Sequence, residues 1–346
     1  MKGMGMFKRL TIASVAAAIL LIGVPSGEIK AQTKKGLVDV IFSLDFIVLG
    51  RHAPWYVALA KGYYEEEGLN VKIIPGKGSA QVMQAVDSGI AQIGFVDVPS
   101  LVLGRARGST IRVVAVNYQK VPYAIFSLDP GANVTKPADL EGLTLASSAG
   151  SFLPRIHKAF MKMHGLDPNK LNVVNMEPSA RIGMLVRNKV DAIDFFIMTY
   201  PGIRRAAGDR AEVRALLLGD FGLTLYSNGI GAKEEYLKKN PKVVKGFVRA
   251  SLRGWKDAMA NPKEAAELQR KYVPALKAQI TVEELAILKN LAVVPDTIKN
   301  GYGWFSPAKM KTSRDFMVAN AKLPGEPPKA EDLYMLGFLP ATPILP

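Results

Sequence analysis

Cysteine is absent from the 346 residues of the chain. That absence excludes disulfides, thiolate metal sites and cysteine nucleophiles. Histidine is scarce as well: His52, His157 and His164 are the three present, so a histidine metal site needs all of them to converge. His157 and His164 are spaced about two helical turns apart, but without the HExxH context of a helical zinc site. No GxSxG elbow, no P-loop and no GxGxxG after a strand occurs, and nothing in the sequence points to a Ser–His–Asp triad, so catalytic patterns find little support. Neither a metal nor a cofactor is expected. Long apolar runs are missing too. The longest, "TIASVAAAILLIGV" at 11–24, falls short of the roughly 20 residues that span a bilayer.

That run follows a basic start with Lys2, Lys8 and Arg9, and precedes small Ala31. This is the layout of a secretory signal peptide over residues 1–31, cleaved near Ala31. A periplasmic protein, free because no cysteine follows the run to carry a lipid, is the expectation. Acidic residues number 30 against 45 basic ones, for a net charge of +15, or +12 without residues 1–31. The Lys and Arg residues are scattered over polar helix faces and no nucleic-acid motif accompanies them, so the excess reads as a solvated basic surface.

From residue 37 the pattern alternates strand and helix. "LVDVIFSLDF" reads as a strand, "PWYVALAKGYYEEEG" as a helix from Pro54 to the Gly68 cap, and "NVKIIP" as the next strand. "GSAQVMQAVDSG", with Ser79 as N-cap, precedes strand "AQIGFV". A second alternating half starts near "YAIFSL", and after residue 233 the chain reads as mostly helical before a Pro-rich tail. Short apolar strands alternating with helices predict βαβ units and largely parallel sheets. Ligands of such sheets lie at the carboxyl ends of strands, beside helix N-termini.

Six strand-to-helix junctions are polar, glycine-containing or aromatic: "DFIVLGRHAPWY" (45–56), "PGKGSA" (75–80), "FVDVPS" (95–100), "SSAGSFLPR" (147–155), "MEPSAR" (176–181) and "FFIMTYP" (195–201). Ser148, Gly150 and Ser151 mark either a ligand contact or simple N-capping. Asp97 is an N-cap or a ligand contact. Asp45 and Asp194 end apolar strands, where a carboxylate needs a partner, either a ligand amine or an arginine of the protein. Phe46, Tyr56, Tyr118, Phe152, Phe195 and Tyr226 are core residues or the walls of a stacking box. His52 stands in the first junction, as a ligand contact or as part of an unusual helix start.

The segments "HAPWYVALAKGYYEEEGLNVKI", "GSAQVMQAVDSGIAQIGFVD", "KPADLEGLTLASSAGS" and "VDAIDFF", in this order, resemble the substrate-binding proteins of ABC importers for thiamine-pyrimidine precursors, sulfonates, taurine, nitrate and riboflavin. The resemblance implies an α/β, type II periplasmic-binding-protein fold with a helical C-terminal region. Lobe 1 would combine 36–120 with 230–346, and lobe 2 would span 121–229. A small molecule would be clamped in the central cleft by hinge closure and delivered, by a monomer, to a membrane permease and its ATPase. The form of the first segment is similar to the branch that binds hydroxymethyl- or formylamino-pyrimidines, with Phe46 in place of its usual Trp. Sulfonates, nitrate and other small anions or aromatics are the alternative, and Arg51 and Arg155 favour it. A further relative is an enzyme that makes the thiamine pyrimidine from its own histidine, which His52 matches. That enzyme's cysteine-rich iron site has no counterpart here, so a non-enzyme is expected. A periplasmic sensor subunit is the remaining alternative.

Overall fold

The computed structural model describes residues 36–148 and 151–346. The expected leader and Gly150 lie outside them. Among the described residues ten strands form two five-stranded sheets. The first holds β1 (Val38–Ser43), β2 (Leu69–Ile74), β3 (Ile93–Asp97), β4 (Ile111–Val116) and β10 (Asn228–Lys233), in the order β2-β1-β3-β10-β4. The second holds β5 (Tyr123–Asp129), β6 (Thr144–Ser147), β7 (Asn172–Asn175), β8 (Ala192–Phe196) and β9 (Glu212–Leu217), in the order β7-β6-β8-β5-β9.

Both sheets are mixed, which corrects the expectation of largely parallel sheets. β1, β2 and β3 run parallel, as do β6, β7 and β8. β10, however, enters antiparallel between β3 and β4, and β5 enters antiparallel between β8 and β9. Each is the strand that arrives from the other sheet. It is not joined to its neighbours by a helical crossover, so nothing compels a parallel direction.

Three local expectations also change. The helix expected over 54–68 is two, Ala53–Ala60 and Tyr63–Glu66, because Gly62 adopts a φ of 74°, which an L side chain resists. Gly78 rather than Ser79 holds the cap position of the helix Ser79–Asp87. The segment "LTLYSNGIGA", whose apolar pattern reads as a strand from 223, forms one only from Asn228, since Tyr226 N is bonded to Ser313 Oγ (2.9 Å) and Ser227 N to the Tyr118 carbonyl (3.3 Å).

The later helices break at prolines, giving Glu234–Lys239, Pro241–Ala260 and Pro262–Arg270. Helix Pro241–Ala260 packs on Ala53–Ala60 through a buried aromatic cluster: Trp55 meets Phe42 (4.7 Å), Phe95 (5.1 Å) and Trp255 (5.6 Å between centroids). Fully buried side chains of this size contribute about 1.5–3 kcal/mol each over their exposed state. The cluster thereby fixes the helix that begins one residue after His52. Among the described residues no helix is long and apolar enough to cross a membrane.

Candidate functional site

The carboxyl ends of β1, β2, β6 and β8 meet around a cavity of about 40 Å³, lined on one side by residues that follow β1 and β2 and on the other by residues of the second sheet. Two groups of the same composition, each an aspartate, an arginine and a histidine, stand at it, and their aspartates and arginines form its polar walls.

The first group lies within eight residues of chain. After β1 the backbone turns through a 3-10 turn, Gly50–His52, that sits tightly on the helix Ala278–Ala292. A Cβ on Gly50 would stand 2.6 Å from Thr281 Cα, so glycine is what allows this approach. The carboxylate of Glu284, on that helix, accepts from Arg51 N at 2.8 Å. Burial raises the Glu284 pKa to about 7 against the backbone bond and the charge of Arg51. Held in this way, Arg51 donates both terminal nitrogens to Asp45 (3.1 and 3.0 Å) and one of them also to Tyr118 Oη (2.9 Å). His52 Nδ1 accepts from Leu49 N at 3.0 Å, so its proton is on Nε2, which donates to Asp45 Oδ1 at 2.9 Å. Burial alone would raise the Asp45 pKa, but Arg51 and His52 prevail and hold it near 2. Burial and the neighbouring Arg51 charge push His52 down to about 4, so it is neutral.

The second group is assembled from distant segments. Asp194, on β8, accepts from Ser147 Oγ (2.5 Å) at the end of β6 and faces His157 Nε2 (3.2 Å) on helix Leu153–Met163. Arg181, on helix Pro178–Val186, bonds the Asp194 carboxylate and, at 2.6 Å, its carbonyl. Burial lowers the Arg181 pKa against the pull of Asp194, yet a guanidinium stays charged.

Aromatic rings close the walls. Phe46 meets Phe195 edge-on at 5.9 Å, Arg181 lies 4.1 Å from the Phe195 centroid, and Arg51 lies 4.9 Å from that of Phe196. Four buried polar atoms of the lining residues have no partner within the protein: Arg51 Nε, Arg181 Nε, Ser148 Oγ and Thr199 Oγ1. Unpaired buried polar atoms are costly, and a polar ligand is one way to satisfy them.

Asp45, Phe46, Ser148, Ser151, Phe152, Asp194 and Phe195 are thus brought together. The partner that Asp45 and Asp194 needed is an arginine in each case. The other expected residues stand outside the cavity. His52 lies behind Asp45 and Tyr118 behind Arg51. Tyr56 packs on Tyr272 (5.8 Å), and Tyr226 accepts from Ser306 N (2.8 Å). Asp97 caps the helix Val98–Arg105 through Ser100 N (3.0 Å) and accepts from Tyr123 Oη (2.6 Å) and Ser227 Oγ (3.1 Å). Tyr123 and Ser227 follow the two crossings between the sheets, so Asp97 ties both of them, and burial raises its pKa to about 7. Among the described residues no group of three His, Asp or Glu could hold a metal. The junctions themselves were legible. Arg181, Ser79, Phe196 and Thr199 belong to three of them, but nothing in the sequence singled out these side chains as cavity walls.

A cavity at strand carboxyl ends, walled by two mixed α/β sheets, belongs to the periplasmic-binding-protein fold. The alkanesulfonate-binding protein SsuA from Xanthomonas axonopodis pv. citri, bound to MOPS, shares it with a TM-score of 0.68 and 15% identity, covering 86% of this chain and 98% of that one. Residues 50–265 match the family described as NMT1/THI5 like, and the chain belongs to that family. It is 27% identical to the riboflavin-binding protein RibY of Chloroflexus aurantiacus, over 96% of this chain and 94% of the relative. It is 25% identical to the formylaminopyrimidine-binding protein of Halalkalibacterium halodurans, over 75% and 77%. A 4-amino-5-hydroxymethyl-2-methylpyrimidine phosphate synthase of Legionella pneumophila also matches, at 24% over 66% and 72%.

Proposed function

We propose that the protein is the exported solute-binding component of an ABC importer, and that the cavity takes a neutral, planar nitrogen heterocycle with a pyrimidine edge. Free aminopyrimidines of the hydroxymethyl or formylamino type and fused pyrimidines both meet that description. One observation carries the reading: each arginine of the cavity is already neutralised by its own buried aspartate. A nitrate or sulfonate would find two carboxylates as well as two guanidiniums, and little net positive charge to balance its own. A heterocycle with ring nitrogens and amino or carbonyl groups can instead serve the unpartnered Nε–H and hydroxyl groups while its faces meet Phe46, Phe195 and Phe196. The cavity is smaller than such a ring, so entry requires Phe46 and Phe195 to part. The resemblance to riboflavin-binding and formylaminopyrimidine-binding relatives supports the class, and binding proteins of importers imply a permease and ATPase as partners.

A synthase that consumes its own histidine is disfavoured because both ring nitrogens of buried His52 are engaged, with Leu49 N and Asp45. Mass spectrometry after incubation with iron and pyridoxal phosphate should show His52 intact, and its loss would establish the enzyme instead. The binding reading is tested by thermal unfolding of residues 32–346 with 4-amino-5-hydroxymethyl-2-methylpyrimidine, formylaminopyrimidine, riboflavin, taurine and nitrate. A heterocycle should raise the Tm in a concentration-dependent manner. Stabilisation by taurine or nitrate alone would overturn it.

A further inference from the structure

Basic residues are scattered over most polar helix faces of the chain, but on one helix they line up. Between the two ends of Pro241–Ala260 the exposed positions are Lys242, Lys245, Arg249 and Lys256, and half-buried Arg253 continues the row. At 3.6 residues per turn the five fall within an arc of about 80° and run for about 21 Å. The opposite face, with Val244, Phe247, Ser251 and Trp255, is buried, so the row is held toward solvent. Arg249 and Arg253 are paired with Glu67 and Glu66. Lys242, Lys245 and Lys256 form no ion pair among the described residues, so they carry the unbalanced charge of the row.

A second feature stands beside this row. Residues 340–345 pass along Arg249, Arg253 and Lys256 and share with them an open groove of about 720 Å³. The segment is fixed by the bond from Tyr302 N to the Ile344 carbonyl (2.9 Å), and Leu345 is left 45% exposed beside the cations. We propose that this face docks on an anionic lipid surface, with the three lysines against headgroup phosphates and Leu345 entering the boundary beneath them. The negative potential of such a surface attracts basic residues, and its headgroup layer admits apolar side chains to a shallow depth. An acidic protein face would satisfy the lysines but set Leu345 against polar groups. The helix contributes no residue to the ring cavity, so the contact is separate from ligand recognition.

The test is flotation of residues 32–346 with vesicles of phosphatidylcholine containing about one-third phosphatidylglycerol, and with phosphatidylcholine alone, at about 50 and about 500 mM salt. Binding is expected to the anionic vesicles alone, and should be lost at the higher salt, where charges are screened. Lys242→Gln, Lys245→Gln and Lys256→Gln together should weaken it roughly a hundredfold, since each lysine near such a surface supplies about fivefold. All three positions are exposed, so the Tm should be unchanged. Leu345→Ser should weaken binding roughly fivefold, about half of what full burial of a leucine contributes in free energy. Lys158→Gln, Lys162→Gln and Lys189→Gln, exposed positions in the part of the chain that carries the second sheet, remove the same charge and should cost less than about threefold. Equal losses in the two triple variants would trace the effect to net charge and overturn the face. Binding to neutral vesicles, or none to anionic ones, would overturn it too. Binding to poly-glutamate as tight as to anionic vesicles, with Leu345→Ser without effect, would replace the lipid by an acidic protein.

Discussion

The Asp45 group and the Asp194 group contain the same three side-chain types but are supported in opposite ways. Asp45, Arg51 and His52 come from one turn of chain, and their hydrogen bonds are complete but for Arg51 Nε, with Tyr118, Leu49 and Glu284 as further partners. Asp194, Arg181 and His157 come from β8 and two separate helices, and His157 Nδ1 and Arg181 Nε are both left without partners. The first group is a prefabricated wall. The second is a junction of three elements, and its shape depends on how they pack.

The largest effect should come from removing either carboxylate. Asp45→Ala leaves Arg51 buried without a counter-charge, and Asp194→Ala does the same to Arg181, each destabilising the fold by about 3–5 kcal/mol in urea unfolding. A cost below about 1 kcal/mol for one of them would show that its arginine is not confined as described. Next come the arginines, where the two groups should diverge. Arg181→Lys keeps the charge but loses the planar fork and the contact with Phe195, so ligand affinity should fall roughly tenfold. Arg51→Lys should lower the Tm more than the affinity, because the bidentate bond to Asp45 is chiefly scaffold. Calorimetry and thermal unfolding of both variants would reveal any reversal of that order.

The smallest effect lies in pH. The pKa of His52 falls from 6.5 to about 4 on folding. Between these values the unfolded chain takes a proton that the folded chain refuses, so this residue makes stability rise with pH from about 4 to 6.5 and adds nothing further above. His52→Gln should lack that rise. Asp97 acts in the other direction, since its pKa rises from 3.8 to about 7 and its contribution to stability is lost as pH climbs across that range. Asp97→Asn should therefore resist pH 7 better, relative to pH 4, than the parent does. Urea midpoints at pH 4, 5.5 and 7 decide both.

The same contrast explains what could be read from the residues alone. Asp45 and His52 are seven apart, so local pattern exposed their junction as a unit, and the order of strands and helices exposed the fold. The pairing of Asp194 with Arg181 and His157 is set by packing between elements, and no spacing announces it. Tyr118 and Tyr226 followed the rule that an aromatic near a strand end suits a cleft, yet each is held outside the cavity by a hydroxyl bond that sequence does not show. The antiparallel entry of β5 and β10 was hidden for a related reason. Strand direction follows from where a connection starts in space, and apolar alternation carries no record of it.

Phe46 leaves the loop after β1, yet its ring packs with the second sheet's core against Phe195. On the proposed reading, the protein supplies its own occupant for the place a ligand ring would fill. Binding becomes an exchange, in which an incoming ring must restore what Phe46 gives up. Full burial of such a side chain is worth about 1.5–3 kcal/mol, so the exchange can set a threshold of up to roughly ten- to a hundredfold in affinity. A flat ring of comparable size meets that threshold by stacking. An ion the size of nitrate would leave it unmet, so on the proposed reading a phenyl group of the protein would screen solutes by size before any hydrogen bond is tested.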